Sequence, residues 1–166
     1  MNSVTEIVWK DIQQNEELEA IIEKVIQKCF EVEHINPTSL YICVTLTNPK
    51  NIREINKEYR NIDKDMVIRI FENLISNIIK YSDSNCNIVL SENGKISFSN
   101  KASKLDVTTV KRIFDRYYTL ENMKKYSGLG LAIAKQLVEL NGGMITAKYL
   151  KNELYIELLF WHKLYY

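Results

Sequence analysis

Seven apolar side chains between Met66 and Lys80 recur at three- and four-residue spacing: Val67, Ile70, Phe71, Leu74, Ile75, Ile78 and Ile79. That periodicity makes one broad apolar stripe on a helix, which must be largely buried. A chain of 166 residues with 46% hydrophobic and 26% charged content is long enough to supply one sizeable core for it. The helix ends in the turn-forming run Ser82-Asp83-Ser84-Asn85.

The flanking segments set the fold class. Upstream, residues 4 to 10 read as a short strand, Glu16 to Val32 as an amphipathic helix on Leu18, Ile21, Ile22, Val25, Ile26 and Cys29, and Leu40 to Leu46 as a second strand. Asn36-Pro37 and Asn48-Pro49 punctuate this run, and a polar helix ending near Asn61 completes a β-α-β-α front. Downstream, Ile88 to Leu90 and Ile96 to Phe98 flank Glu92-Asn93-Gly94, a strong hairpin signal. Val107 to Phe114 reads as a short helix and Leu120 to Ser127 as a polar loop. Leu129 to Leu140 is helical up to Asn141-Gly142-Gly143, and Met144 to Tyr149 and Leu154 to Phe160 are the last strands. The expected class is α/β (α+β), with a mixed sheet.

Charge and cysteine usage narrow the function classes. With 22 basic and 21 acidic side chains the net charge is +1, so no global field draws the chain to nucleic acid or an anionic membrane. Any phosphate binding is therefore local. No apolar run approaches the roughly 20 residues that span a bilayer, and the polar start lacks a signal-peptide layout, which points to a cytoplasmic chain. Cys29, Cys43 and Cys86 are odd in number and widely spaced, as reduced thiols are. His34 and His162 are the only histidines and form no zinc-ligand pattern.

Chemistry concentrates in two places. Asn73 and Asn77 are four apart on one side of the apolar helix, with Lys80 three residues beyond. A carboxamide oxygen can complete a Mg²⁺ shell shared with phosphate, and a lysine ammonium neutralises phosphate as a point charge. Taken alone, the pattern is better explained by two helix-capping or solvent-facing asparagines and a solvated lysine. The second place is Ser127-Gly128-Leu129-Gly130, which follows a polar loop and opens a helix. Glycines there let an anion approach the free N–H groups of the helix end.

Together these segments resemble the catalytic domain of bacterial sensor histidine kinases. N-L-I-S-N-I-I-K-Y-S (Asn73 to Ser82) resembles the N box, R-I-F-D-R-Y-Y-T (Arg112 to Thr119) the F box, and S-G-L-G-L-A-I-A (Ser127 to Ala134) the second glycine box. Order and spacing agree, and the similarity runs from about Arg69 to Phe160. The resemblance implies a two-layer α/β sandwich of the Bergerat type over residues 66–166, with ATP and Mg²⁺ as ligands. It implies that Asn77 holds the metal, Asn73 supports the polyphosphate, Lys80 contacts phosphate and Tyr81 lies against adenine. Gly128, Leu129 and Gly130 would cradle phosphate, Phe114 would anchor a lid spanning Asp115 to Ser127, and Arg116 would reach the terminal phosphate. Arg116 and Lys80 are thus the catalytic candidates. Plain core packing of Phe114 and Tyr81, both beside apolar runs, is compatible with these roles.

One position departs from the family. Where an adenine-recognising aspartate is usual, Phe98-Ser99-Asn100-Lys101-Ala102-Ser103 places Asn100. Its amide oxygen can still accept a hydrogen bond, without the charge assistance that roughly doubles the strength of such a bond.

Residues 1–65 resemble something else. Leu40 to Lys64 is similar to the first half of the YbeY-type rRNA-maturation endoribonucleases, with Arg60 at an arginine of that family, but without its three-histidine zinc site. The expected organisation is a chimera joined near Asp65, the front supplying a helix and strand to the kinase-like part. His34 stands at a helix-breaking turn rather than in a bundle helix. The phospho-accepting histidine is therefore expected in a separate dimerisation domain, with a response regulator as further partner, and no autophosphorylation by this chain alone. Two other readings stay open: a non-catalytic interaction module with a degenerate site, and a remnant of an rRNA-processing nuclease.

Overall fold

The computed structural model describes residues 5–10, 13–37, 40–47, 64–91, 95–120 and 127–160. Outside them lie the polar helix expected to end near Asn61, Arg60, the Glu92-Asn93-Gly94 turn, residues 121–126 of the expected lid and His162.

The elements follow the order β1 (Thr5–Lys10), α1 (Glu16–Glu33), β2 (Ile42–Thr47), α2 (Lys64–Tyr81), β3 (Cys86–Leu90) and β4 (Ile96–Lys101). A 3₁₀ turn (Thr109–Arg112), α3 (Gly130–Leu140), β5 (Gly143–Leu150) and β6 (Glu153–Phe160) complete it. Six strands form one sheet in the order β1-β2-β3-β4-β6-β5. β1–β2 and β2–β3 are parallel, and the remaining pairs antiparallel. A parallel pair needs a crossover connection, which α1 and α2 provide, whereas β3–β4 and β5–β6 are joined by short returns and the chain passes from β4 to β5 through the 3₁₀ turn and α3.

The three described α-helices cover one face of the sheet. Ile42, Val44, Leu46, Ile88, Phe98, Ile156 and Leu158 point toward them, and Phe30 of α1 and Ile70, Leu74 and Ile78 of α2 meet these strands in one core. Phe71 closes on Phe98 with ring centroids 5.7 Å apart. The alternate strand residues, among them Thr45, Ser97, Ser99, Tyr155 and Glu157, are half-buried on the other face. There Glu157 pairs with Lys95 at 2.8 Å, which lowers its pKa. The result is a two-layer α/β sandwich with a mixed sheet, β1, α1 and β2 being continuous with the rest.

Local chemistry fixes the helix ends. The Asn15 side chain accepts the Leu18 N–H at 2.9 Å, and Glu16, Glu17 and Glu19 lie at the positive end of α1. The helix stops at His34, in the left-handed region with φ 55°. Of the apolar positions expected on α1, Ile26 and Cys29 are buried, while Leu18 and Ile21 are 40% and 56% exposed. They flank an apolar groove of about 270 Å³ shared with Val67, Phe71 and Leu46. Cys29, Cys43 and Cys86 are free thiols, and burial pushes that of Cys86 up to about 12.

The helix expected over Val107 to Phe114 is a single 3₁₀ turn. Only Val110 and Ile113 of this stretch are fully buried, and a spacing of three suits three residues per turn. The Asp106 carboxylate accepts the N–H groups of Thr108 and Thr109 at 2.8 and 2.6 Å, capping the turn and holding that carboxyl below its ordinary range.

Candidate functional site

The two chemistry-bearing segments meet in one cleft of about 530 Å³. One side is α2, which presents Arg69, Glu72, Asn73, Ser76, Asn77, Lys80 and Tyr81. The opposite side is Ser127 to Leu131 with Ile133 at the start of α3. The floor is Asn100, Ala102, Leu105 and Leu154, and Tyr118 to Leu120 and Ile113 border it. Val32 and Glu33, at the end of α1, close the remaining edge.

Glycine geometry lets the sides approach. A Cβ on Gly130 would stand 3.2 Å from Asn73 Oδ1. At Gly128 the conflict is sharper: φ is +62°, and a Cβ would lie 2.6 Å from the Tyr117 carbonyl carbon and 2.8 Å from Tyr118 O. The Tyr117 N–H donates to Gly128 O at 2.9 Å, tying the end of the F-box-like stretch to the glycine loop. Leu129, at the N-cap of α3, makes no side-chain cap, so the N-cap residue itself leaves the first N–H groups of the helix to other acceptors.

The polar donors have defined orientations. The Asn73 amide nitrogen donates to Arg69 O at 2.8 Å, which turns Oδ1 outward, toward Gly130. Asn100 is 5% exposed, and its amide nitrogen donates to Lys101 O at 3.1 Å. A carbonyl can only accept, so that contact assigns the nitrogen and leaves Oδ1 as an acceptor. The Lys80 ammonium pairs with Glu33 at 2.8 Å, and Glu72 pairs with Lys28 at 2.6 Å. The Asp83 carboxylate, just past α2, takes the Ser103 N–H; this bond holds the carboxyl below its usual range and ties the loop after β4 to α2.

Among the described residues no cluster of three or more His, Cys, Asp or Glu could cage a metal ion. On α2 the cleft is lined by the carboxamides of Asn73 and Asn77 and by Glu72, whose carboxylate is paired with Lys28. That set fits Mg²⁺, which keeps several waters and takes one or two protein ligands alongside phosphate oxygens.

Asn73, Asn77, Lys80, Tyr81, Asn100, Gly128, Leu129 and Gly130 thus share one cleft. Phe114 and Arg116 stand outside its lining. Phe114 packs against the core beneath the Lys135 ammonium, 5.8 Å from its ring centroid. Arg116 is exposed and reaches Gln136 of α3 at 3.4 Å. Glu33 and Val32 are cleft residues that the sequence did not single out. Their place depends on α1 packing against α2, for which the linear pattern carries no signal.

Residues 62–158, more than half of the chain, match the family described as histidine kinase-, DNA gyrase B- and HSP90-like ATPase. The probable sensor protein PcoS of Escherichia coli is 34% identical over 95 residues, covering 52% of this chain and 20% of that protein. The sensor histidine kinase WalK of Bacillus subtilis is 33% identical over 100 residues, covering 54% of this chain and 16% of its own length. The chain thus spans a fifth or less of these two relatives. Among solved structures, the mycobacterial sensor histidine kinase MprB shares the fold with a TM-score of 0.64 at 18% identity, over 85% of this chain and 93% of that one. Residues 66–166 alone fall short of that 85%, so the shared fold extends into the front segment. On the family match and the cleft geometry together, this chain belongs to the histidine kinase-, DNA gyrase B- and HSP90-like ATPase family.

Proposed function

We propose that this chain is the Mg-ATP-binding catalytic domain of a two-component sensor histidine kinase. The observation that carries the reading is the approach of Asn73 on α2 to Gly130 at the start of α3, which puts carboxamide oxygens opposite free helix N–H groups in one cleft. Nucleotide, when bound, supplies the phosphoryl group. The chain positions it and neutralises its charge, which is most of what phosphoryl transfer requires.

Asn77 holds the metal and Asn73 supports the polyphosphate. Lys80 contacts phosphate, and the N–H groups from Gly128 to Gly130 cradle it from the other side. Tyr81 lies against the base, and the Asn100 Oδ1 accepts from the adenine amino group. Arg116 is exposed on the segment that reaches α3, from where it moves toward the terminal phosphate, and Phe114 anchors that segment by burial. The acceptor histidine comes from a dimerisation domain, and a response regulator receives the phosphoryl group. His34 is the C-cap of α1, outside any bundle helix, which supports an acceptor in another domain and no autophosphorylation by residues 1–166 alone. Residues 5–10, 16–33 and 42–47 supply β1, α1 and β2 to the same sheet and core, and a YbeY-like origin for residues 1–65 rests on the resemblance over Leu40 to Lys64 alone.

The test is a thermal-unfolding scan. Mg-ATP at 100 times its dissociation constant should stabilise the chain by about 2.7 kcal/mol. The shift should require Mg²⁺ and vanish in Asn77→Ala; an unchanged shift in that variant would sink the assignment. A cooperatively unfolding sample with no shift at all would favour the non-catalytic scaffold, for which the observation is Asn100 in place of an acid.

A further inference from the structure

The charged residues lining the cleft are Glu33, Arg69, Glu72 and Lys80, so the lining carries no net charge among the described residues. One of the two lining acids, Glu33, comes from α1 and the other, Glu72, from α2. The Glu33 carboxylate stands 2.8 Å from the Lys80 ammonium, and the two side chains are only 11% and 21% exposed. Solvent screens such a pair far less than one at the surface. Glu33 is also the last residue of α1, where the helix carbonyls already concentrate negative potential. A phosphate approaching Lys80 therefore meets a carboxylate within the same contact distance.

We propose that Glu33, by holding the Lys80 ammonium in an ion pair at the edge of the cleft, makes the site select metal-complexed polyphosphate over the bare anion. The inference rests on the nucleotide reading above and adds a selectivity residue to it. A bare triphosphate arrives with its full negative charge and must displace Glu33 from Lys80 while enduring its repulsion. A Mg²⁺ complex arrives with two charges cancelled, and its cation is attracted to the carboxylate that repels the bare ligand. Glu33 thus acts through charge on which form of the ligand binds. It lies on α1, outside the family-matched stretch 62–158.

The experiment measures dissociation constants for ATP with excess Mg²⁺ and with excess EDTA, by calorimetry, in the full chain. Glu33→Gln keeps the shape and an acceptor for Lys80 but removes the charge. It should tighten metal-free ATP about tenfold, as expected for one nearby like charge removed from a half-buried site. Mg-ATP affinity should change much less, so the ratio of the two constants falls. Glu33→Ala should move the ratio in the same direction, and in a Lys80→Met background Glu33→Gln should have a far smaller effect. An unchanged ratio in both Glu33 variants, with normal Mg-ATP binding, overturns the role of Glu33 alone. A persistent full effect without Lys80 overturns the ion-pair mechanism. Wild-type chain that is folded and binds no Mg-ATP overturns the nucleotide reading together with this inference.

Discussion

The walls of the cleft come from two regions of unlike character. α2 and the start of α3 carry sequence patterns that announce their chemistry: paired asparagines on an apolar helix, and glycines just before a helix. The α1 edge carries none, yet it places Val32 and Glu33 in the same cleft and ties down both lining acids, Glu33 to Lys80 and Glu72 to Lys28. A site can therefore be half written in motifs and half in packing. The motif half fixes which ligand can be handled, and the packing half fixes the charge that ligand meets.

The comparison breaks most readily at Phe30. This ring is 2% exposed at the α1 side of the core, as Phe98 is 1% exposed in the middle of the sheet. Phe30→Ala should cost about 3–5 kcal/mol, as loss of a buried aromatic does, and Phe98→Ala a similar amount. If front and rear share one core, both variants should lower the midpoint of a single unfolding transition followed by circular dichroism. Two separate transitions, only one of them sensitive to Phe30→Ala, would show that the front is an appendage.

A smaller effect is expected at Gly128, which belongs wholly to the motif half. Alanine there must adopt a positive φ and collide with the Tyr117 backbone. A destabilisation of about 1–3 kcal/mol follows from the strain, with loss of the nucleotide-induced thermal shift. A Gly128→Ala variant that still responds fully to Mg-ATP would mean that the glycine loop does not shape the cleft.

The smallest change should come from Ile21→Ser, at a position 56% exposed on the same helix as Phe30. Denaturant unfolding should place it within about 0.5 kcal/mol of the parent. A larger loss would mean that the outer turns of α1 bury more surface than their exposure implies, sharpening the contrast with the Phe30 end.

What was legible in the sequence follows the reach of each interaction. Helical periodicity from Val67 to Ile79 identified α2, because a buried stripe is a local pattern with a nonlocal cause. Asn73, Asn77, Lys80 and Tyr81 were found together because one helix carries them all. The stretch around Val110 misled, since two buried residues three apart fit an α-helix as well as a 3₁₀ turn, and only the Asp106 cap distinguishes them. The turn between β5 and β6 was also unannounced. Lys151 and Asn152 take positive φ values of 52° and 64°, a conformation usually marked by glycine. Glu33 was invisible for a different reason: its partner is 47 positions away, and only helix packing joins them.

The balanced lining of the cleft also bears on speed. Among the described residues the acids and bases of the lining cancel, and a balanced lining projects little field into solution, so these residues do not draw an anionic ligand in from a distance. Encounters with such a lining respond weakly to ionic strength, so the rate of capture is set by the geometry of the opening rather than by the salt content of its surroundings.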